Sequence, residues 1–186
     1  MAKLLLKALR FLLIFSLLVL VLLVVGREVW VRVETAHIMR QRDLTLQVFG
    51  DASNIAQTVS ANDENLARDG KPSIWPADLG MKSAMEYLKY LQKQGYLDQA
   101  YQAPTGSLLI GNLSRNSPDH TIFVMSTGTM RDIHTFISSA GGVPNYATGF
   151  VAFRKDGKGQ FYSDKERENH VRIGVQPSGD PEYLPN

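Results

Sequence analysis

The chain has 186 residues, no cysteine, and 20 Lys and Arg against 18 Asp and Glu. Lack of cysteine excludes disulfides, thiol catalysis, cysteine zinc sites and iron–sulfur clusters. A charge this close to balance argues against a nucleic-acid partner, which needs a basic face.

The first element is an apolar run over residues 4–25. Within it, residues 11–25 carry no charge, and Ser16 is the one polar side chain. At about 1.5 Å per helical residue the run crosses a hydrocarbon layer of about 30 Å, with Lys7 and Arg10 able to snorkel to one edge. Backbone in lipid must satisfy its own hydrogen bonds, so the run is expected to be a helix. Lys3, Lys7 and Arg10 flank its start, and the first acid is Glu28. The positive-inside rule then places the N-terminus in the cytoplasm and the remainder outside. Without those three bases the remainder holds one more acid than base, a net charge of −1. A retained anchor is expected over a cleaved signal peptide, because Val24-Val25-Gly26-Arg27 offers no small-x-small cleavage site.

The organisation expected is a cytoplasmic tip and transmembrane helix over 1–26, an amphipathic continuation over 27–60, and an extracytoplasmic α+β domain over 61–186. In the second segment Val29, Val33, Ala36 and Met39 are spaced for one helical face, and Leu46, Phe49, Ala52, Ala56 and Val59 continue it. This reads as one long helix, or two with a bend near Gly50. Trp30 sits where an interfacial aromatic anchor belongs. Residues 62–76 read as a loop, and their acids Asp63, Glu64 and Asp69 as solvated, since no EF-hand spacing is present.

Ser83-Ala84-Met85-Glu86 is a capping box, so a second, short helix is expected to about Gln94. Met81, Ala84, Leu88 and Leu91 form its buried stripe, Lys89 and Lys93 its exposed side, and Gly95 its stop. Short β-prone runs follow at 107–110, 120–126, 148–154 and 159–162, with a further strand at 171–175. Asp156-Gly157 is a hairpin turn signal between two alternating runs. Gly141 to Gly149 reads as a flexible loop, because it lacks the spacing of a phosphate loop. The fold expected is therefore α+β, with a small antiparallel sheet covered by a helix.

This order resembles the type IV pilins and the pseudopilins of type II secretion. The stretch Ile74-Trp75-Pro76, then Ala84-Met-Glu-Tyr-Leu-Lys-Tyr-Leu91, then Gly95-Tyr96-Leu97 is similar to segments of pilin-like proteins, as is the turn Lys155-Asp156-Gly157. The resemblance implies a pilin-like fold and an assembly role in a filament or secretion apparatus. One family motif is missing: Arg10 stands where a prepilin has Gly before its cleavage point, and Phe15 where it has Glu. A carboxylate in lipid is costly unless paired, and in the family it pairs during assembly. Prepilin-type processing is therefore not implied.

No catalytic, cofactor-binding or metal site is expected. His37, His120, His134 and His170 share no metal spacing, and neither Asp119-His120 nor Asp132 with His134 comes with a nucleophile. Ser126-Thr127-Gly128-Thr129 reads as a strand end. The expected protein is not an enzyme but a bitopic structural subunit of a bacterial inner membrane, with lipid and other pilin-like subunits as partners. It extends to a cell-surface filament if the resemblance holds. The alternative is a tethered binding module using the connections at 127–149. An envelope enzyme ranks third.

Overall fold

The structure, a computed structural model, describes residues 2–98, 108–127, 130–163 and 184. Helix α1 runs Ala2–Arg68, α2 Pro76–Leu79 and α3 Ala84–Lys93. The strands are β1 Leu108–Ile110, β2 Ile122–Ser126, β3 Met130–Ala140, β4 Val143–Arg154 and β5 Gly159–Ser163. The protein is α+β: a long N-terminal helix, short helices, then a small antiparallel sheet. Two compact units are present, Met1–Arg40 with Ser138–Asn145, and Gln41–Ile137 with Tyr146–Asn186. His170, the strand expected at 171–175, and Gly128-Thr129 lie outside the described residues.

α1 does not break at Gly50. A Cβ at Gly50 would meet nothing within 4 Å, so the helix passes this glycine with its packing unaffected. Most helical stability comes from packing of a face, which outweighs a propensity deficit of about 1 kcal/mol. That face is Val48, Ala52, Ile55, Ala56 and Val59, all fully buried. Ala52, Ala56 and Val59 belong to the expected stripe, and Phe49 packs against it half-buried. Leu46, Val29 and Val33 do not: they are exposed, and Val48 and Ile55 supply the missing volume.

The loop expected at 62–76 begins later than its Asn and Asp content suggests. α1 continues to Arg68 and closes at Gly70, where φ is 68°. Gly70 N donates to Ala67 O at 3.0 Å and Lys71 N to Leu66 O at 2.8 Å, a Schellman arrangement that favours glycine at the left-handed position. Asp63 is therefore helical and buried, contrary to its reading as a solvated loop acid.

α3 forms as its sequence directs. Ser83 Oγ accepts from Glu86 N at 3.1 Å, while Glu86 Oε2 reaches one residue further back, to Lys82 N at 3.0 Å. Tyr96 N bonds Leu91 O at 2.9 Å beyond Gly95, and Leu97 folds into the core. Tyr87 joins Ala84, Leu88 and Leu91 on the buried face. Phe123 meets the rings of Trp75 and Tyr87 edge-on, with centroids 4.8 and 6.3 Å apart. Such pairs add about 0.5–1.5 kcal/mol beyond burial.

The strand order is β1-β2-β4-β3, with β5 also pairing β4. β1 pairs β2, β2 pairs β4, and β4 pairs β5, all antiparallel. The β4–β5 turn forms at Asp156-Gly157 as expected: Gly157 N donates to Arg154 O at 3.0 Å, with Gly157 φ at 75°. Val124, Val151 and Phe153 belong to the main core with α1, whereas Met125, Phe150 and Tyr162 form a second cluster.

Residues 130–149 are not a set of loops. Ser126 ends β2 as expected, but β3 and the first half of β4 form a hairpin around Gly141-Gly142. Their φ values of 61° and 89° are those of a type I′ turn, which glycine adopts without strain. The turn lies against the helix within the first unit: a Cβ at Gly142 would meet Val31 Cγ1 at 3.6 Å, and one at Gly141 would meet Trp30 Cζ3 at 3.8 Å. In the second unit Thr45 Oγ1 accepts from Arg131 N at 3.2 Å and Arg131 Nε donates to Gln41 Oε1 at 2.7 Å. These bonds fix the start of β3 on α1.

Candidate functional site

The most developed polar cluster surrounds Asp63, close to the C-terminal end of α1. Its Oδ1 accepts from Ile74 N at 3.0 Å and Arg115 Nη2 at 2.9 Å. Its Oδ2 accepts from Trp75 Nε1 and Arg115 Nε, each at 2.9 Å. The guanidinium thus binds the carboxylate in a two-pronged fork, the strongest form of this pair. Its remaining reach is also used, as Nη1 donates to Lys71 O at 3.0 Å. The Arg115 backbone N donates to Asp78 Oδ2 at 2.7 Å.

Lys155, on the β4–β5 turn, closes the other side. Its Nζ donates to Ser117 O at 2.7 Å, Arg115 O at 2.8 Å and Asp119 Oδ1 at 3.3 Å. It also lies 5.5 Å from the centre of the Trp75 ring, in cation–π range. An ammonium has three donors, and all three are occupied.

Burial by itself pushes the Asp63 carboxyl up. The hydrogen bonds from Arg115, Ile74 and Trp75, with the Arg115 charge, outweigh it and hold the pKa below the usual carboxylate range. The Asp63 hydrogen bond foremost, with the charges of Asp63 and Asp78, raises Arg115 above its ordinary value against the opposing effect of burial. Asp63 is therefore a fixed anion and unsuited to accept a proton near neutral pH.

A cleft of about 350 Å³ opens beside these groups, lined by Asp63, Trp75, Arg115, Asp119, Lys155 and Asp156 among others. Both of its buried-side cations are engaged by protein oxygens. Its hydroxyl, Ser60, has no histidine among the lining residues. The cluster ties four segments together: the end of α1, the 69–75 loop, the β1–β2 connection and the β4–β5 turn. Chemically it is a clasp.

The histidines do not form a site with it. His37 and His120 are exposed, and His134 lies on β3. Asp119, beside His120, faces Lys155. Among the described residues no group of three or more His, Cys, Asp or Glu is placed to hold a metal ion. The Asp63 cluster was hidden in the sequence by its separations, since Asp63 and Arg115 stand 52 residues apart. The one local hint was Trp75-Pro76, a large aromatic fixed beside a helix start.

Apart from this clasp, the prominent surface is apolar. Residues 11–25 of α1 are exposed on every side, the apolar side chains from 73% at Phe11 down to 38% at Val19. α1 is the one helix, among the described residues, long and apolar enough to cross a membrane. Compared with family models, curated proteins and solved structures, the chain matches none.

Proposed function

We propose that this chain is a single-pass membrane protein that serves as a pilin-like assembly subunit, with its N-terminus in the cytoplasm and its α+β domain outside. The observation that carries the proposal is the continuity of α1. Its first part presents apolar side chains around its whole circumference, and its last part is the central core helix of the sheet domain. A helix apolar all round is stable in lipid or among other helices. The order of long helix, short helix and small antiparallel sheet supports the pilin resemblance. The Lys3, Lys7 and Arg10 flank supports the orientation. Of the connections at 127–149 on which a tethered binding module would draw, residues 130–140 and 143–149 are strand.

Assembly would proceed through helix–helix packing, and Val29 and Val33 remain exposed one turn apart beyond the apolar run. The test is cross-linking in native membranes through Val29→Cys and Val33→Cys, in a chain with no other cysteine. Disulfide-linked multimers, or adducts with a filament or secretion component, are expected. Monomers alone at both positions would overturn the assembly role, and release of the chain by alkaline carbonate would overturn the anchor.

A further inference from the structure

We infer that the tip of the β3–β4 hairpin, residues 138–145, rests on the phospholipid headgroup layer of the membrane that holds α1. The inference depends on the membrane-anchor reading and goes beyond it, by assigning a second lipid contact to a part of the chain remote in sequence.

The placement follows from α1 itself. Trp30 lies five residues beyond Val25, the end of the uncharged run, and so about 7–8 Å further along the helix axis. Headgroup regions add about 5–8 Å to each side of the hydrocarbon core. Trp30, 53% exposed, therefore falls at headgroup depth, where an indole is favoured. The hairpin turn meets the helix at this level, with Gly141 beside Trp30 and Gly142 beside Val31 in the same compact unit.

The composition of the tip suits that layer. Ser138-Ser139-Ala140-Gly141-Gly142-Val143-Pro144-Asn145 has no charged side chain. Ser138, Ser139, Gly141, Gly142 and Asn145 are exposed, offering hydroxyls, an amide and uncovered backbone to phosphate and glycerol oxygens. A soluble hairpin turn needs no such absence of charge, whereas an acidic side chain here would be repelled by the lipid phosphates. Arg27 and Arg32, exposed on the adjoining helix, can meet lipid phosphates.

The test uses the full chain in phosphatidylethanolamine–phosphatidylglycerol vesicles. Bimane is attached singly at Ser16→Cys, Ser139→Cys or Lys89→Cys, and a quenching nitroxide is carried on either the lipid headgroup or the acyl chain. The expected result is that headgroup nitroxide quenches the label at 139 several-fold more than the one at 89, while acyl-chain nitroxide quenches the label at 16. If the label at 16 is quenched by lipid but that at 139 behaves like that at 89, the tip contact is overturned and the anchor stands. If the label at 16 escapes lipid quenching, the anchor reading fails and the inference falls with it. Asn145→Cys, on the other arm of the turn, repeats the measurement if Ser139→Cys does not fold, and carries the same two outcomes.

Discussion

Arg115 grips Asp63 with two parallel hydrogen bonds of 2.9 Å, joining the end of the long helix to the β1–β2 connection. Asp63 is nearly inaccessible, its side chain 6% exposed, while Arg115 is 31% exposed. Removing the cation therefore strands a buried anion. Arg115→Ala is expected to destabilise the fold by about 3 kcal/mol, the lower end for breaking such a pair, because Ile74 N and Trp75 Nε1 still bind Asp63. Urea unfolding followed by tryptophan fluorescence measures it, and a loss below the level of an exposed pair such as Arg68–Glu64 would contradict it.

The same pair sets an acid limb. The folded state holds the Asp63 carboxyl below its unfolded value of about 3.9. Its stabilisation is complete above that value and is lost as pH falls through the folded pKa. Unfolding midpoints are expected to drop with pH in this window, and Asp63→Asn should flatten the slope. An unchanged slope in the variant would assign the acid limb to other carboxylates.

Asp51 should act in the opposite direction. Its Oδ2 is buried with no hydrogen-bond partner among the described residues, and burial raises its pKa. Its charge is thus a cost at neutral pH. Asp51→Ala is expected to stabilise by about 1 kcal/mol, the lower range for an unsatisfied buried polar group. The gain should shrink as pH falls through the folded pKa, because protonation relieves the same penalty in the parent. A destabilised variant at pH 7 would show that the carboxylate is engaged.

Gly149 tests the sheet. It pairs with Ser163, and a Cβ there would overlap the Tyr162 carbonyl and crowd the Phe161 ring. The obstruction includes backbone, which yields less readily than a side chain. Gly149→Ala is expected to cost about 3 kcal/mol, the upper range for overpacking, with lost protection of β4 and β5 amides in hydrogen exchange. Gly50→Ala is the control, with open space around its Cβ, and should stabilise slightly through helix propensity.

Much of the local structure was legible because its signals are local. The Ser83–Glu86 cap, the Gly95 stop and the Asp156-Gly157 turn each need only a few neighbouring residues. β3 was missed for the converse reason. Its Met130-Arg131-Asp132 start shows no clean apolar alternation, and it is secured instead by bonds to Gln41 and Thr45, many residues earlier. The helical stripe was partly misplaced because Leu46 and Val48 are equally apolar, and only the position of the sheet decides which faces inward.

The sequence by itself determined the apolar run, its basic flank, the absence of thiol chemistry and the order of helices before strands. These depend on composition and on periodicity over a few turns. Tertiary structure decided that α1 passes through Gly50 and reaches Arg68, because helix continuity there is set by burial of Val48, Ile55 and Val59 against distant residues. It also decided that Asp63 is a clasped anion instead of a solvated one. A carboxylate is tolerated in a core only where donors converge on it, and its donors come from Ile74, Trp75 and Arg115.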